Sequence, residues 1–185
     1  AFLSTAANPM TDALCREGIA RSTRSLRVAF KNGGDVDARE DLALASLLSG
    51  IALANARLGA VHALAGPLGG RFPVPHGTAC ARLLPETLAV NARALLQRAP
   101  NSPALHRLKE LGRLLTASDK AGAEEVVDWV RTLVADLQVQ PLSAFGVTAD
   151  GLGDIVGAAM KSNAIKGNPV ELTAEELMTI LNGAL

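Results

Sequence analysis

His62 and His76 are the residues of this sequence best suited to share a ligand. They fall in the segment from Ala60 to Ala79, AVHALAGPLGGRFPVPHGTA, which carries two of the chain's three histidines. Their spacing is far from the i, i+3 or i, i+4 interval that stacks two side chains on one helix face. Gly66, Pro67, Gly69, Gly70, Pro73 and Pro75 predict a long turn, with His62 near the end of one alanine-rich helix and His76 at the start of the next. A ligand held by both would be gripped across that turn.

The residue types favour a metal ion over acid/base work. Neutral imidazole is the commonest metal ligand. His76 follows Pro75 at an expected helix N-terminus, where the positive end of the helix dipole disfavours imidazolium and keeps a lone pair available. The alternative is a pair of buried histidines hydrogen-bonded to backbone at helix ends, and the two readings stand side by side at this level. A protein metal site normally draws at least three ligands from the chain. The third histidine, His106, sits in the charged stretch SPALHRLKELGRLL and is expected to face solvent, so carboxylates or residues outside the segment would have to complete a site.

Helices must position these residues, because strand signals are scarce. The first helix is expected from Asn8-Pro9 to about Phe30, stopped by KNGGD. Asp37 with Glu40 has capping-box spacing and predicts a long small-residue helix running toward His62. A third starts near His76, with Pro85 expected to kink or divide it. Others are expected from Ser102-Pro103 to Leu115, from Ser118 through Trp129 to about Leu137, and from Thr148 to about Lys161. The last follows the Thr173/Glu176 capping box. Gly167-Asn168-Pro169 reads as a turn signal rather than a phosphate cradle.

Composition agrees with an all-α domain. Of 185 residues, 49% are hydrophobic, 19% charged and only 3% aromatic, so the core must be built from Ala, Leu, Val and Gly, which suit close helix packing. The 18 basic and 18 acidic residues cancel, which argues against a nucleic-acid partner. Arg16, Arg21, Arg24 and Arg27 read as the solvated face of the first helix rather than an anion site. Cys15 and Cys80 read as buried apolar fillers, unpaired, which points to a reducing compartment such as the cytoplasm. No uninterrupted apolar stretch is long enough to predict a membrane span. No strand-led G-x-G-x-x-G is present, so no dinucleotide site is read within these residues.

The run LSGIALANARLGAVHALAGPLGGRFPVPHGTACARLLPETLAVN resembles the signature stretch of the iron-containing alcohol dehydrogenase family, whose usual form reads Gly-x-x-His-x-x-x-His-Pro-x-Gly followed by Pro-His-Gly. STAANPMTDAL and GNPVELTAEELMTILNGAL are similar to other family segments, so the likeness spans nearly the whole chain. The resemblance implies that residues 1–185 form a single helical metal-binding domain, the C-terminal half of a metal-dependent oxidoreductase linked to NAD or NADP. In that family one Asp and three His hold the metal, iron or zinc, and the last two histidines match His62 and His76. The other two ligands belong to an Asp-x-x-x-His motif upstream of a segment like STAANP.

An N-terminal nucleotide-binding domain is therefore the implied missing partner, and an alcohol or aldehyde the implied substrate. The family's second histidine is replaced here by Gly66, which removes a side chain assigned to proton relay or substrate contact and leaves no residue with an assigned acid/base role. Leu53 stands where some relatives carry an aromatic, and with Arg57 and Gly66 it forms the candidate substrate pocket. The isolated chain is expected to be inactive. It is also expected to self-associate through an exposed face around His62, Gly66, Gly70, His76, Leu53, Leu68 and Phe72. The rival reading is a non-catalytic helical module for oligomerisation or scaffolding, built on the same fold.

Overall fold

A computed structural model describes all residues from Ala1 to Leu185 and contains helices and turns with no strand. Helix α1 (Pro9–Lys31) is capped by Asn8, whose side chain accepts hydrogen bonds from the Met10 and Thr11 amides. Helix α2 (Val36–Ala56) returns beside it after a short loop. Its cap is Asp35, which accepts from the Ala38 amide at 2.9 Å, and not the expected Asp37/Glu40 box. Gly18 of α1 faces Ala45 of α2, whose carbonyl oxygen stands at an ordinary contact distance of 3.7 Å from where a Cβ at Gly18 would be.

The expected continuous helix toward His62 is broken. Arg57 adopts φ 55°, outside the helical region, and the chain turns by 103° into α3 (Ala60–Arg71). His62 therefore lies in the first turn of a new helix rather than at the end of an old one. Nor does the Gly/Pro-rich stretch form a long loop: α3 runs through Gly66, Pro67, Gly69 and Gly70, and the turn shrinks to Phe72–Pro75. An internal proline costs roughly 3 kcal/mol. The cost is offset because Ala63, Leu64, Ala65 and Leu68 are all fully buried, and burial of each leucine contributes about 1.5–3 kcal/mol.

Helix α4 (His76–Arg98) is likewise uninterrupted at Pro85, which is buried beneath α6 (Ala123–Asp136) and α8 (Ala174–Ala184). Packing from both sides holds the helix together where its own hydrogen bonding is weakened. Between these come α5 (Pro103–Thr116) and α7 (Leu152–Lys161), with short 3-10 turns at Leu142–Phe145, Ala149–Gly151 and Asn163–Gly167. Helix α6 starts at Gly122, whose amide donates to the Glu125 carboxylate, rather than near Ser118. No single helix is long and apolar enough to cross a membrane.

The interior divides into two clusters. The larger joins α3, α4, α7 and α8 through Leu64, Leu68, Leu83, Leu152, Leu177 and Ile180, among others, and takes Val90 and Ala94 as well as Ala79 from α4. The smaller joins the second half of α4 to α5 and α6 through Leu88, Leu95, Leu108 and Val126. Neither draws a buried residue from α1 or α2.

Candidate metal centre

Asn168 fixes the start of α3, and with it His62. The cap residue Gly59 has no side chain to satisfy the first amides of the helix, so the Ala60 amide donates instead to Asn168 Oδ1 at 3.1 Å. Asn168 is itself buried and donates through Nδ2 to Asn91 Oδ1 on α4 and to the Val170 carbonyl, both at 2.7 Å. Gly167 makes this contact possible: a Cβ there would fall 1.9 Å from the Leu58 carbonyl oxygen. The Gly167-Asn168-Pro169 turn is thus a remote cap joining three elements. Sequence reading saw only a turn, because the partner amide lies more than one hundred residues away.

His76 is positioned from the other side. Pro75 sits at the cap position with φ −58°, and His76 is the first residue of α4. The two imidazoles converge, their ring centroids 5.5 Å apart and their planes inclined at 56°. His62 is half-buried and His76 exposed. Burial lowers the His62 pKa from its usual value, and the neighbouring His76 lowers it further. Both causes keep the His62 lone pair free for coordination.

A third donor stands beside them. Cys80 lies one turn after His76 on α4, with Sγ 3.5 Å from His76 Nε2. Donor atoms of His62, His76 and Cys80 all lie within 4.8 Å of one another. Cys80 is half-buried, like Cys15, and burial pushes its thiol pKa up. The i, i+4 interval between His76 and Cys80 was legible in the sequence, but the helical pattern there made the cysteine look like core. His106 is exposed on α5, as expected, and takes no part.

Of the candidate pocket residues, only Gly66 shares a helix with one of the histidines. Leu53, Arg57 and Gly66 are all exposed. Gly66 is one turn after His62 on the same face of α3, and nothing approaches within 4 Å of where its Cβ would be. Leu68, expected on that open face, is instead fully buried in the larger core, and Phe72 is half-buried against it.

His62 and Cys80 also border a cavity of about 530 Å³ between the α1–α2 hairpin and the remaining helices. Most of its lining is hydrophobic, with contributions from Phe2, Ile19, Leu84 and Trp129. Thr87 also lines it, buried and with its hydroxyl unpaired. The four arginines of α1 leave no anion site: Arg16 pairs with Glu110, Arg21 and Arg24 with Asp41, and Arg27 with Asp136.

The sequence matches the profile of the "Fe-containing alcohol dehydrogenase family, C-terminal" over residues 1–185. It is 36% identical over 186 residues to alcohol dehydrogenase 4 of Schizosaccharomyces pombe, a match covering 100% of this chain and 42% of that protein. It is equally 36% identical to 1,3-propanediol dehydrogenase of Klebsiella pneumoniae, covering 94% of this chain and 46% of that protein. The solved alcohol dehydrogenase from Oenococcus oeni superposes with a TM-score of 0.87 at 31% identity, over 100% of this chain and 47% of that one. The chain thus spans less than half the length of the relatives it matches, and over that span it belongs to the iron-containing alcohol dehydrogenase family.

Proposed function

We propose that this chain is the metal-holding part of an NAD- or NADP-linked alcohol or aldehyde oxidoreductase. The observation that carries the reading is the convergence of His62 and His76 from two different helices, at 5.5 Å between rings, at the positions where the family's histidine ligands are expected. Neutral imidazoles at this separation suit an iron or zinc ion shared between them. When bound, such an ion supplies Lewis-acid polarisation of the substrate oxygen. His62 and His76 would hold that ion and fix its place relative to Gly66.

The open space at Gly66 supports substrate access from the exposed side, where Leu53 and Arg57 would contact the alcohol or aldehyde. With no side chain at Gly66 to accept a proton, the alcohol proton would pass to solvent. The nicotinamide nucleotide would come from a domain preceding Ala1, which also would supply the remaining metal ligands. Cytoplasmic location and self-association through the exposed face belong to the same reading.

Turnover tests it. The chain joined to its preceding segment should oxidise primary alcohols with NAD or NADP, and His76→Ala should reduce kcat/KM by at least about 100-fold together with metal content. Residues 1–185 alone should bind metal weakly and show no turnover. Full activity and metal content in the His76→Ala enzyme would refute the reading and favour the non-catalytic scaffold.

A further inference from the structure

Arg57 holds a backbone conformation that an arginine adopts only under constraint. At the cap position after α2 it has φ 55° and ψ −179°. Positive φ with extended ψ is a region populated essentially by glycine, and such strain persists where a functional site requires the side chain. The turn is clamped from outside. A Cβ on Gly167 would stand 3.0 Å from the Arg57 Cβ and 1.9 Å from the Leu58 carbonyl oxygen, so Arg57 cannot relax toward that side.

We infer that Arg57 is an anion-binding residue of the proposed site, its guanidinium fork holding a carboxylate on the alcohol or aldehyde, or a phosphate of the nucleotide. The inference rests on the function proposed above and names the charge of the ligand that the site takes.

Three observations carry it. The Arg57 side chain is exposed and forms no ion pair, whereas most other arginines of the chain are paired. The surrounding segments are free of acid: Leu42–Pro85 has three arginines and two histidines with no Asp or Glu, and Ile155–Val170 has Lys161 and Lys166 alone. Of these cations Arg71 is taken by Asp154, and Lys166 donates only to the neutral Asn163 side chain. Arg57 also stands on the turn that delivers His62. It precedes that histidine by five residues, so even a fully extended chain would keep their Cα atoms within about 18 Å.

The C-terminal dipole of α2 does not account for this arginine. A cation gains from the dipole anywhere in the last turn. Ala54 and Asn55 are exposed there in ordinary helical backbone, yet the last turn of α2 carries no basic residue. A planar fork that pairs bidentately with carboxylate or phosphate is what arginine adds at Arg57.

The test uses the chain joined to its preceding segment, with 4-hydroxybutanoate and 1-butanol as probes. If the anion is on the substrate, Arg57→Gln should lower the preference for 4-hydroxybutanoate over 1-butanol at least about tenfold, since a hydrogen bond to a charged group is worth that factor or more. Arg57→Lys should recover only part of it. If the anion is the nucleotide's, Arg57→Gln should instead raise KM for NAD or NADP at least about tenfold and leave the alcohol preference as it was. Neither change would overturn the inference while leaving the metal-site proposal standing, because His76→Ala tests that separately.

Two readouts do not need turnover. Labelling of Arg57 by phenylglyoxal, followed by mass spectrometry, should be slowed at least about tenfold by saturating 4-hydroxybutanoate or NADP, with Arg39, also exposed and unpaired, as the internal control. Equal labelling with and without both compounds would overturn the inference. Arg57→Gly should raise the thermal midpoint by about 2–4 °C as the strain is relieved. An unchanged or lower midpoint would remove the strain on which the inference stands.

Discussion

The α1–α2 hairpin and the helices around α3 and α4 are held by different physics. Around α3 and α4 the core is a continuous apolar cluster with Leu64, Leu68, Leu83, Leu177 and Ile180 fully buried. The hairpin contributes no residue to either cluster. Its buried positions are small or polar, Gly18, Ser25, Ala38, Ala45, Ala52 and Ala56 among them, and its two helices are tied by Asp41. That carboxylate accepts from Arg21 at 2.7 Å, from Arg24 at 2.6 Å and from Ser25 at 2.6 Å. The hairpin is fastened to the rest by polar contacts, above all Arg107 of α5, which donates to both Asp12 oxygens at 2.6 and 2.8 Å and to the Phe2 carbonyl. The 530 Å³ cavity lies along this seam. The donors are placed by the apolar part, and the hairpin only walls their inner side.

If that division is right, removing apolar volume should matter far more beside the histidines than in the hairpin. Leu64→Ala should cost about 2–5 kcal/mol in urea unfolding. Leu47→Ala, on the exposed face of α2 at 60% exposure, should stay within about 0.5 kcal/mol. Similar losses at the two sites would break the comparison.

Arg107→Ala comes next. Asp12 is 7% exposed and would be left without its cation, a change that costs 3–5 kcal/mol for a fully buried pair. Because about a quarter of the Arg107 side chain is exposed, about 2 kcal/mol is expected here. The effect should be local: amide exchange should quicken across α1 and α2 while α3, α4 and α8 keep their protection. Uniform loss of protection would show that the hairpin is part of the same cooperative unit.

The smallest effect is acidic. Hydrogen bonds from Arg24 and Ser25 hold the Asp41 carboxyl well below the usual carboxylate range. A depressed carboxylate pKa favours the fold above the unfolded value of about 3.9, and that contribution fades as pH falls toward the folded value. The hairpin should therefore loosen only below about pH 4. Exchange in α1 and α2 followed from pH 6 to pH 3 should show this step, and Asp41→Asn should abolish it. A step near neutral pH would assign it to another group.

How much of this was readable depended on the range of the interaction. The caps at Asn8 and Thr173 are local hydrogen bonds, and both were legible at their positions. The helices through Pro67 and Pro85 were not, because proline's penalty is visible in the sequence while the burial that outweighs it is contributed by distant helices. The break at Arg57 was missed for the opposite reason, since nothing in LANARLG marks a positive φ at an arginine. At the site, the two histidines were legible from their motif, and they do converge. The Asn168 cap was not, because it acquires its role only once the turn at Asn168 is brought against α3 and α4.

The central claim is that α3 and α4 carry one shared metal position, and anomalous diffraction from crystals equilibrated with Zn²⁺ tests it most directly. The account predicts a single peak on the α3–α4 side of the molecule, about 2.0–2.1 Å from a nitrogen of both His62 and His76. No peak between the rings, or a peak bound to one ring with the other turned away, would contradict it.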